Sequence, residues 1–279
     1  MKKIPFCKYH ANGNDFIIIS SQNLDIKYRN SPFISRLCNR HLGIGADGLI
    51  IVSPSEKYDF CIDYYNADGS WETFCANGSR CAVKYQLCLK NSTNSLQFES
   101  GATVHSYKIN SDGLVSMSMK IPVYKSGSIA PLGIKGVFVD SGARHFICES
   151  DRLDDEYVFE MGRKIRNVPD FHPKGINVNF YRLIDRGLIK IKTYEKGVEQ
   201  VMLSCSSGSA AVVFHLAYKG LVTSPVITHS SGGNLSYTFD DVWQEFYCEG
   251  PAKHCYSGEF KMAEFRLSFH QAFCLTWMV

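Results

Sequence analysis

The sequence predicts an α/β (α+β) chain of two pseudo-symmetric lobes with a working site in the cleft between them. Three observations predict it. Short β-branched and aromatic runs bounded by turn residues dominate, with few helix-capable stretches among them. One setting occurs twice: Cys75 stands before Ala76-Asn77-Gly78 and a helix-capable run to Tyr85, and Cys205 stands before Ser206-Ser207-Gly208-Ser209 and Ala210-Ala211-Val212-Val213. The two cysteines are 130 residues apart, and the same interval relates Phe16-Ile17 to Phe146-Ile147, Gly45 to Gly175 and Gly78-Ser79 to Gly208-Ser209. A constant, ungapped interval reads as an internal duplication. The expected lobes are residues 1–120 and 121–260, with the tail 261–279 packing back on the first.

Along the first lobe, residues 6–10 and 16–20 read as strands, the second isoleucine-rich and therefore buried. The polar turn between them holds Asn14, which either closes the turn or points an amide at a ligand. Ser31-Pro32 begins a helix, with serine as cap and proline first; it runs to Arg40, and Gly43 stops it. Gly43-Ile44-Gly45-Ala46-Asp47-Gly48 has the G-x-G-x-x-G spacing, but here a helix precedes and a strand follows. That order is the reverse of a dinucleotide-binding turn, so the glycines are assigned to a turn. Strands at 49–52 and 59–65 lead to the turn Asn66-Ala67-Asp68-Gly69-Ser70, and residues 71–74 extend to Cys75. After the cysteine's helix come strands at 96–99, 103–109 and 114–119. Ile121-Pro122 opens the crossing.

The second lobe repeats the order: strand 136–140, turn 141–145, strand 146–148, helix 154–166, a turn and strand over 173–180, and strand 188–194 leading to Cys205. Strand 235–239 and one closed by Gly250-Pro251-Ala252 finish it, and the apolar end 273–279 is expected to pack.

With 279 residues, 45% of them hydrophobic and 20% charged, the chain can bury a large core. A net charge of +3 does not point to nucleic acid or a membrane surface, and no run approaches a membrane span in length. The basic start Met1-Lys2-Lys3 has no apolar stretch behind it, so a secretory signal is not expected. An odd count of 11 cysteines then points to the reducing cytoplasm. No C-x-x-C pair occurs, and Cys75 and Cys81 lack a histidine cluster, so no metal site is expected.

Most free cysteines are small buried hydrophobes, and nine of the 11 are read that way. Cys75 and Cys205 differ in placement. A thiol at the mouth of a helix faces the positive end of its dipole and unpaired N–H groups, which favour the thiolate. The same N–H groups can hold a carboxylate. Two such cysteines on opposite sides of one carbon can pass a proton across it, inverting the centre without a cofactor. The α-proton of an amino acid is weakly acidic, so the site must stabilise a carbanion with oriented donors in a dry cleft.

These residues resemble diaminopimelate epimerase over nearly the whole chain. The markers are Gly13-Asn14-Asp15-Phe16, Gly43 to Gly48, Asn66 to Ser70, Cys75 to Cys81, Asn177-Val178-Asn179-Phe180, Thr193-Tyr194-Glu195 and Cys205 with its turn. The resemblance implies a mixed or antiparallel sheet wrapped around a central helix in each lobe. It also implies a small amino-acid substrate, neither pyridoxal phosphate nor metal, and Cys75 and Cys205 as the two acid/base residues. Ala76-Asn77 and Ser206-Ser207 would hold the α-carboxylate through their backbone. His145 and Glu195 would set thiol protonation, while Asn14, Asn66 and Asn177 orient the substrate. A homodimer is left open, as is an inactivating disulfide between the two thiols.

Departures from the family bear on substrate. Ala76 and Ser206 replace the usual glycines, Ala143-Arg144 the usual Asn-Pro, and Lys196 the usual arginine after the glutamate. Lysine is a flexible point charge where arginine is a planar fork. A looser distal grip, and turnover of a shorter substrate such as glutamate, is therefore an alternative. Arg144 either adds a cation near the site or points to solvent. Acyl transfer by one cysteine with His145 would leave the second cysteine setting unexplained. A non-catalytic binding protein would keep the fold without needing both thiols.

Overall fold

A computed structural model describes residues 2–89 and 96–262. The expectations for 263–279, Cys274 among them, fall outside the described residues. The chain divides into two compact units, one of residues 1–11, 15–107 and 252 onward, the other of residues 12–14 and 108–251. Among the described residues no helix is long and apolar enough to cross a membrane.

The first unit opens with strands β1 (Lys3–Ala11) and β2 (Asn14–Ser20), helix α1 (Ser31–Cys38) and strands β3 (Gly48–Ser53), β4 (Phe60–Asn66) and β5 (Trp71–Glu72). Helix α2 (Ala76–Leu89) and strands β6 (Gln97–Ser100) and β7 (Thr103–Ile109) follow. The second unit contains β8 (Val115–Ser118), β9 (Val123–Ile129), β10 (Gly136–Asp140), β11 (Arg144–Glu149), helix α3 (Asp155–Arg166), β12 (Asn177–Asp185), β13 (Leu188–Glu195) and β14 (Gln200–Met202). It ends with helix α4 (Ser206–Tyr218) and strands β15 (Val226–Ser230), β16 (Gly233–Phe239) and β17 (Phe246–Gly250). The last strand, β18 (Lys253–Lys261), returns to the first unit.

Pairing repeats between the units. In the first, β2 runs parallel to β3, β3 antiparallel to β4, and β4 parallel to β6. In the second, β11 runs parallel to β12, β12 antiparallel to β13, and β13 parallel to β15. Strands β2 and β3 are covered on both faces, so they read as continuous apolar runs rather than alternating ones. Ile17, Ile19, Leu49 and Ile51 join Phe33, Ile34 and Leu37 of α1 in one core. On the other face, Phe16 and Ile50 lie against Gly78 of α2. In the second unit Phe146, Val178, Phe180 and Tyr194 pack with Val158 and Ile165 of α3. The opposite face, towards α4, holds Asn179 and Thr193 against Gly208. Helix α4 is buried almost all round its first three turns, as a helix enclosed by a sheet must be.

Local rules place the ends. Asn30, rather than Ser31, caps α1: its side-chain oxygen accepts from the Phe33 N–H at 3.1 Å, and Ser31 becomes the first helical residue. The helix stops at Cys38, short of Arg40, because the Asn39 side chain takes the N–H groups of His41 and Leu42. Asp154 caps α3 through the Tyr157 N–H at 3.0 Å.

The division of the chain differs from the expected 120/121 and 260/261 boundaries. Strand β8 pairs with β17 and β9 with β10, while β18 pairs with β1 along its length. The first unit's opening strand β1 is thus paired by the last strand of the second sequence half, and the second unit's β17 by β8, the last strand of the first half.

Candidate active site

In the first unit, the approach to Cys75 is clamped. Ser100 Oγ donates to the Thr73 carbonyl at 2.7 Å, and the Phe74 ring stacks on His105 at 4.2 Å. Cys75 sits immediately before α2, its carbonyl accepting from the Ser79 N–H at 2.8 Å. Its sulfur lies 3.5 Å from the Gly78 nitrogen, which donates to it. Ala76 and Asn77 occupy the first turn, whose N–H groups have no intrahelical acceptor. Asn77 is buried, and its Oδ1 accepts from Arg80 at 2.5 Å. Asn66 ends β4 in its own turn: Oδ1 accepts from Tyr64 at 2.7 Å and Nδ2 donates to Ser70 at 3.0 Å.

In the second unit, Cys205 is the extended residue capping α4, and its carbonyl accepts from the Ser209 N–H at 3.0 Å. Its sulfur lies 3.6 Å from Ser207 Oγ. Ser207 Oγ is 3.0 Å from His145 Nε2, and His145 Nδ1 is 3.0 Å from Asn179 Nδ2. Asn179 Oδ1 accepts from Thr193 at 2.8 Å. The first turn of α4 is anchored by Tyr237 donating to the Ser206 carbonyl at 2.8 Å and Ser141 donating to the Ser207 carbonyl at 2.7 Å. His145 has no solvent exposure, and burial pushes its pKa down to about 3, so the ring is neutral at physiological pH.

Asn177 Oδ1 accepts from the Lys196 N–H at 2.8 Å, joining β12 to the turn after β13. That turn is shaped by Glu199, held at φ +58°. Its carboxylate takes Gly197 N–H at 2.9 Å, Tyr194 OH at 3.0 Å and an ion pair from Arg166 at 2.6 Å. Half-buried Glu195 ends β13. Lys196 is exposed, and among the described residues its side chain makes no ion pair.

Arg144 lies on the face of β11 opposite His145, by strand alternation, and its guanidinium stacks on Phe138 at 4.8 Å. It is half-buried there and does not share His145's face. Ala143 precedes it in the turn. Asn14 belongs to the second unit with Asn12 and Gly13, where Asn12 Nδ2 donates to the Asn234 carbonyl at 3.1 Å. Gly13, at φ +85°, abuts Leu203, two residues before Cys205.

The structure thus clusters Cys205, Ser206, Ser207 and His145, links Asn177 to Lys196, and sets Cys75, Ala76 and Asn77 at one helix start. Asn66 stands apart in its turn. Asn179 and Thr193 were not among the sequence-predicted site residues. A signal existed: Asn179 is two residues from Asn177 on one strand and so shares its face.

The diaminopimelate epimerase family model matches residues 6–124. A diaminopimelate epimerase of Campylobacter jejuni subsp. doylei is 35% identical over 260 residues, covering 92% of this chain and 99% of that protein. One from Aquifex aeolicus is 31% identical over 271 residues, covering 91% and 96%. Among solved structures, a hydroxyproline epimerase from Agrobacterium vitis superposes with a TM-score of 0.72 at 12% identity, covering 96% of each chain. A probable proline racemase from Agrobacterium radiobacter superposes at 0.73 and 14%, covering 96% of this chain and 97% of that one. These two share the fold. The identities and coverage show that the chain belongs to the diaminopimelate epimerase family, isomerases that work without pyridoxal phosphate, and is an epimerase.

Proposed function

We propose that this epimerase inverts one α-carbon of LL-diaminopimelate, giving the meso form, by passing a proton between Cys75 and Cys205. The observation that carries the reading is the equivalence of the two cysteines. Each stands directly before the central helix of its unit, at the interval that relates the two halves.

One sulfur starts as thiolate, the other as thiol. The thiolate takes the α-proton: the C–H bond breaks, an S–H bond forms, and the electron pair spreads into the carboxylate. Backbone N–H groups of Ala76, Asn77, Ser206 and Ser207 hold that carboxylate and stabilise the added charge. The second thiol then protonates the opposite face, its S–H bond breaking as the new C–H bond forms. The centre is inverted and the two sulfurs have exchanged roles, which makes the reaction symmetric. Asn14 orients the substrate, while Asn66, Asn177 and Lys196 receive its distal end. A cytosolic setting, which keeps both thiols reduced, belongs to this reading.

Solvent deuterium incorporation at the α-carbon, followed by NMR with reduced protein, tests it. LL-diaminopimelate is expected to exchange and invert. Cys75→Ala or Cys205→Ala should each slow inversion by about 10²–10⁴. Undiminished inversion in either variant would sink the two-thiol reading. Lys196, exposed and without an ion pair among the described residues, supports a second reading, in which L-glutamate also exchanges; absence of glutamate exchange at high enzyme concentration removes it.

A further inference from the structure

We infer that Asn179, oriented by Thr193, fixes the tautomer of His145 so that the Ser207 hydroxyl donates its proton to the Cys205 sulfur, making these four residues a positioning relay for that thiol. The inference rests on the proposed function only in taking Cys205 to be a working thiol.

The polarity follows from the geometry step by step. Asn179 Nδ2 lies 3.2 Å from the Phe146 carbonyl oxygen, which can only accept. That atom is therefore the amide nitrogen, and the amide oxygen faces Thr193, whose hydroxyl donates to it at 2.8 Å. The same nitrogen is 3.0 Å from His145 Nδ1. A donor-only group there requires Nδ1 to accept, so Nδ1 carries no proton. The buried, neutral ring then keeps its proton on Nε2, which donates to Ser207 Oγ at 3.0 Å. Having accepted there, the hydroxyl directs its own hydrogen to its other partner, Cys205 Sγ, at 3.6 Å.

A hydroxyl aimed at sulfur favours the thiolate over the thiol. The arrangement also excludes a competing role. With Nδ1 occupied and Nε2 already protonated, His145 has no lone pair free to act as a base towards Cys205. It acts as an oriented dipole. The site in the first unit is built differently: there the Cys75 sulfur accepts a backbone N–H from Gly78, and Gly78 rests on apolar Ile50 where Gly208 rests on Asn179.

The test reads the thiol and the ring without any substrate, so its outcome is separate from whether diaminopimelate is the substrate. Cys205 alkylation by iodoacetamide is followed against pH by peptide mass spectrometry in the folded, reduced full chain. Ser207→Ala is expected to lower Cys205 alkylation at pH 7 about tenfold, an apparent thiol pKa higher by about one unit. Ser207→Thr, which keeps the hydroxyl, should restore it. Thr193→Val and Asn179→Ala should lower it about threefold by letting both tautomers populate. Nitrogen-15 NMR of His145 should show the Nε2–H tautomer, unchanged between pH 5 and 9, in the unaltered protein, and averaged shifts in Asn179→Ala. A proton on Nδ1, or an alkylation profile that Ser207→Ala leaves in place, would overturn the inference.

Discussion

Gly208 has no side chain where Asn179 needs the space. A Cβ built there would come within 2.1 Å of Asn179 Oδ1 and 3.3 Å of Thr193 Oγ1. In an ordinary helix, replacing glycine by alanine stabilises by about 1 kcal/mol. Here overpacking against two buried polar atoms costs about 1–3 kcal/mol and breaks hydrogen bonds that nothing replaces. Gly208→Ala is therefore expected to lower stability by about 1–2 kcal/mol in urea unfolding. An alanine that stabilised would show that the Asn179 amide is free to move. At this scale the sequence disclosed the thiols and their helix starts, because a cysteine before a small-residue turn is visible in one dimension. It disclosed less of what stands behind them. The groups behind His145 come from helix α4 and from strands β12 and β13, and only register brings Asn179 to it and Thr193 to Asn179. The Asn14 turn likewise belongs with Leu203 and Asn234 through contacts that no local pattern announces.

Strands were legible where burial shapes composition. The runs in β2 and β3 are fully buried and almost purely apolar, and β4 alternates between buried and half-buried positions. Strands β9 and β18 carried no such mark. In β18 only Phe260 is buried among nine residues, so main-chain pairing with β1 holds it and its side chains are free to be polar. That single residue fastens the strand to the core: its ring lies 6.3 Å from both Phe6 and Phe33. Phe260→Ala should therefore cost about 3–5 kcal/mol, read as a fall in the urea midpoint with little change in slope. A loss below about 1 kcal/mol would mean that pairing alone secures β18. The helices were easier. Asp154 begins α3 as expected, whereas α1 is capped one residue earlier than Ser31-Pro32 suggested, because asparagine at residue 30 accepts the third amide just as well.

At the scale of the molecule, the 130-residue interval has a physical cause at each marker. Gly45 and Gly175 both sit at positive φ, +82° and +66°, where other residues are strained. Phe16 and Phe146 are both wholly buried, in equivalent strands. Gly78 and Gly208 both let a helix approach the sheet. Repetition was visible because these positions tolerate little else. The unit boundaries were not, because each half of the sequence ends in a strand that serves the other unit, and pairing partners are not written in either strand alone.

That arrangement of β18 reaches into how the protein is made. Lys3 pairs with Lys261, so the first unit cannot complete its sheet until nearly all of the described chain has left the ribosome. The second unit has all its residues by Pro251. Synthesis from the N-terminus usually favours the leading domain; here the order of completion is inverted, and β1 waits for a partner translated after the whole second unit. Chains stalled with residue 251 fully emerged should resist protease across 108–251 and be cut within 3–11. Protection of 3–11 at that stage would show that the first unit closes without its last strand.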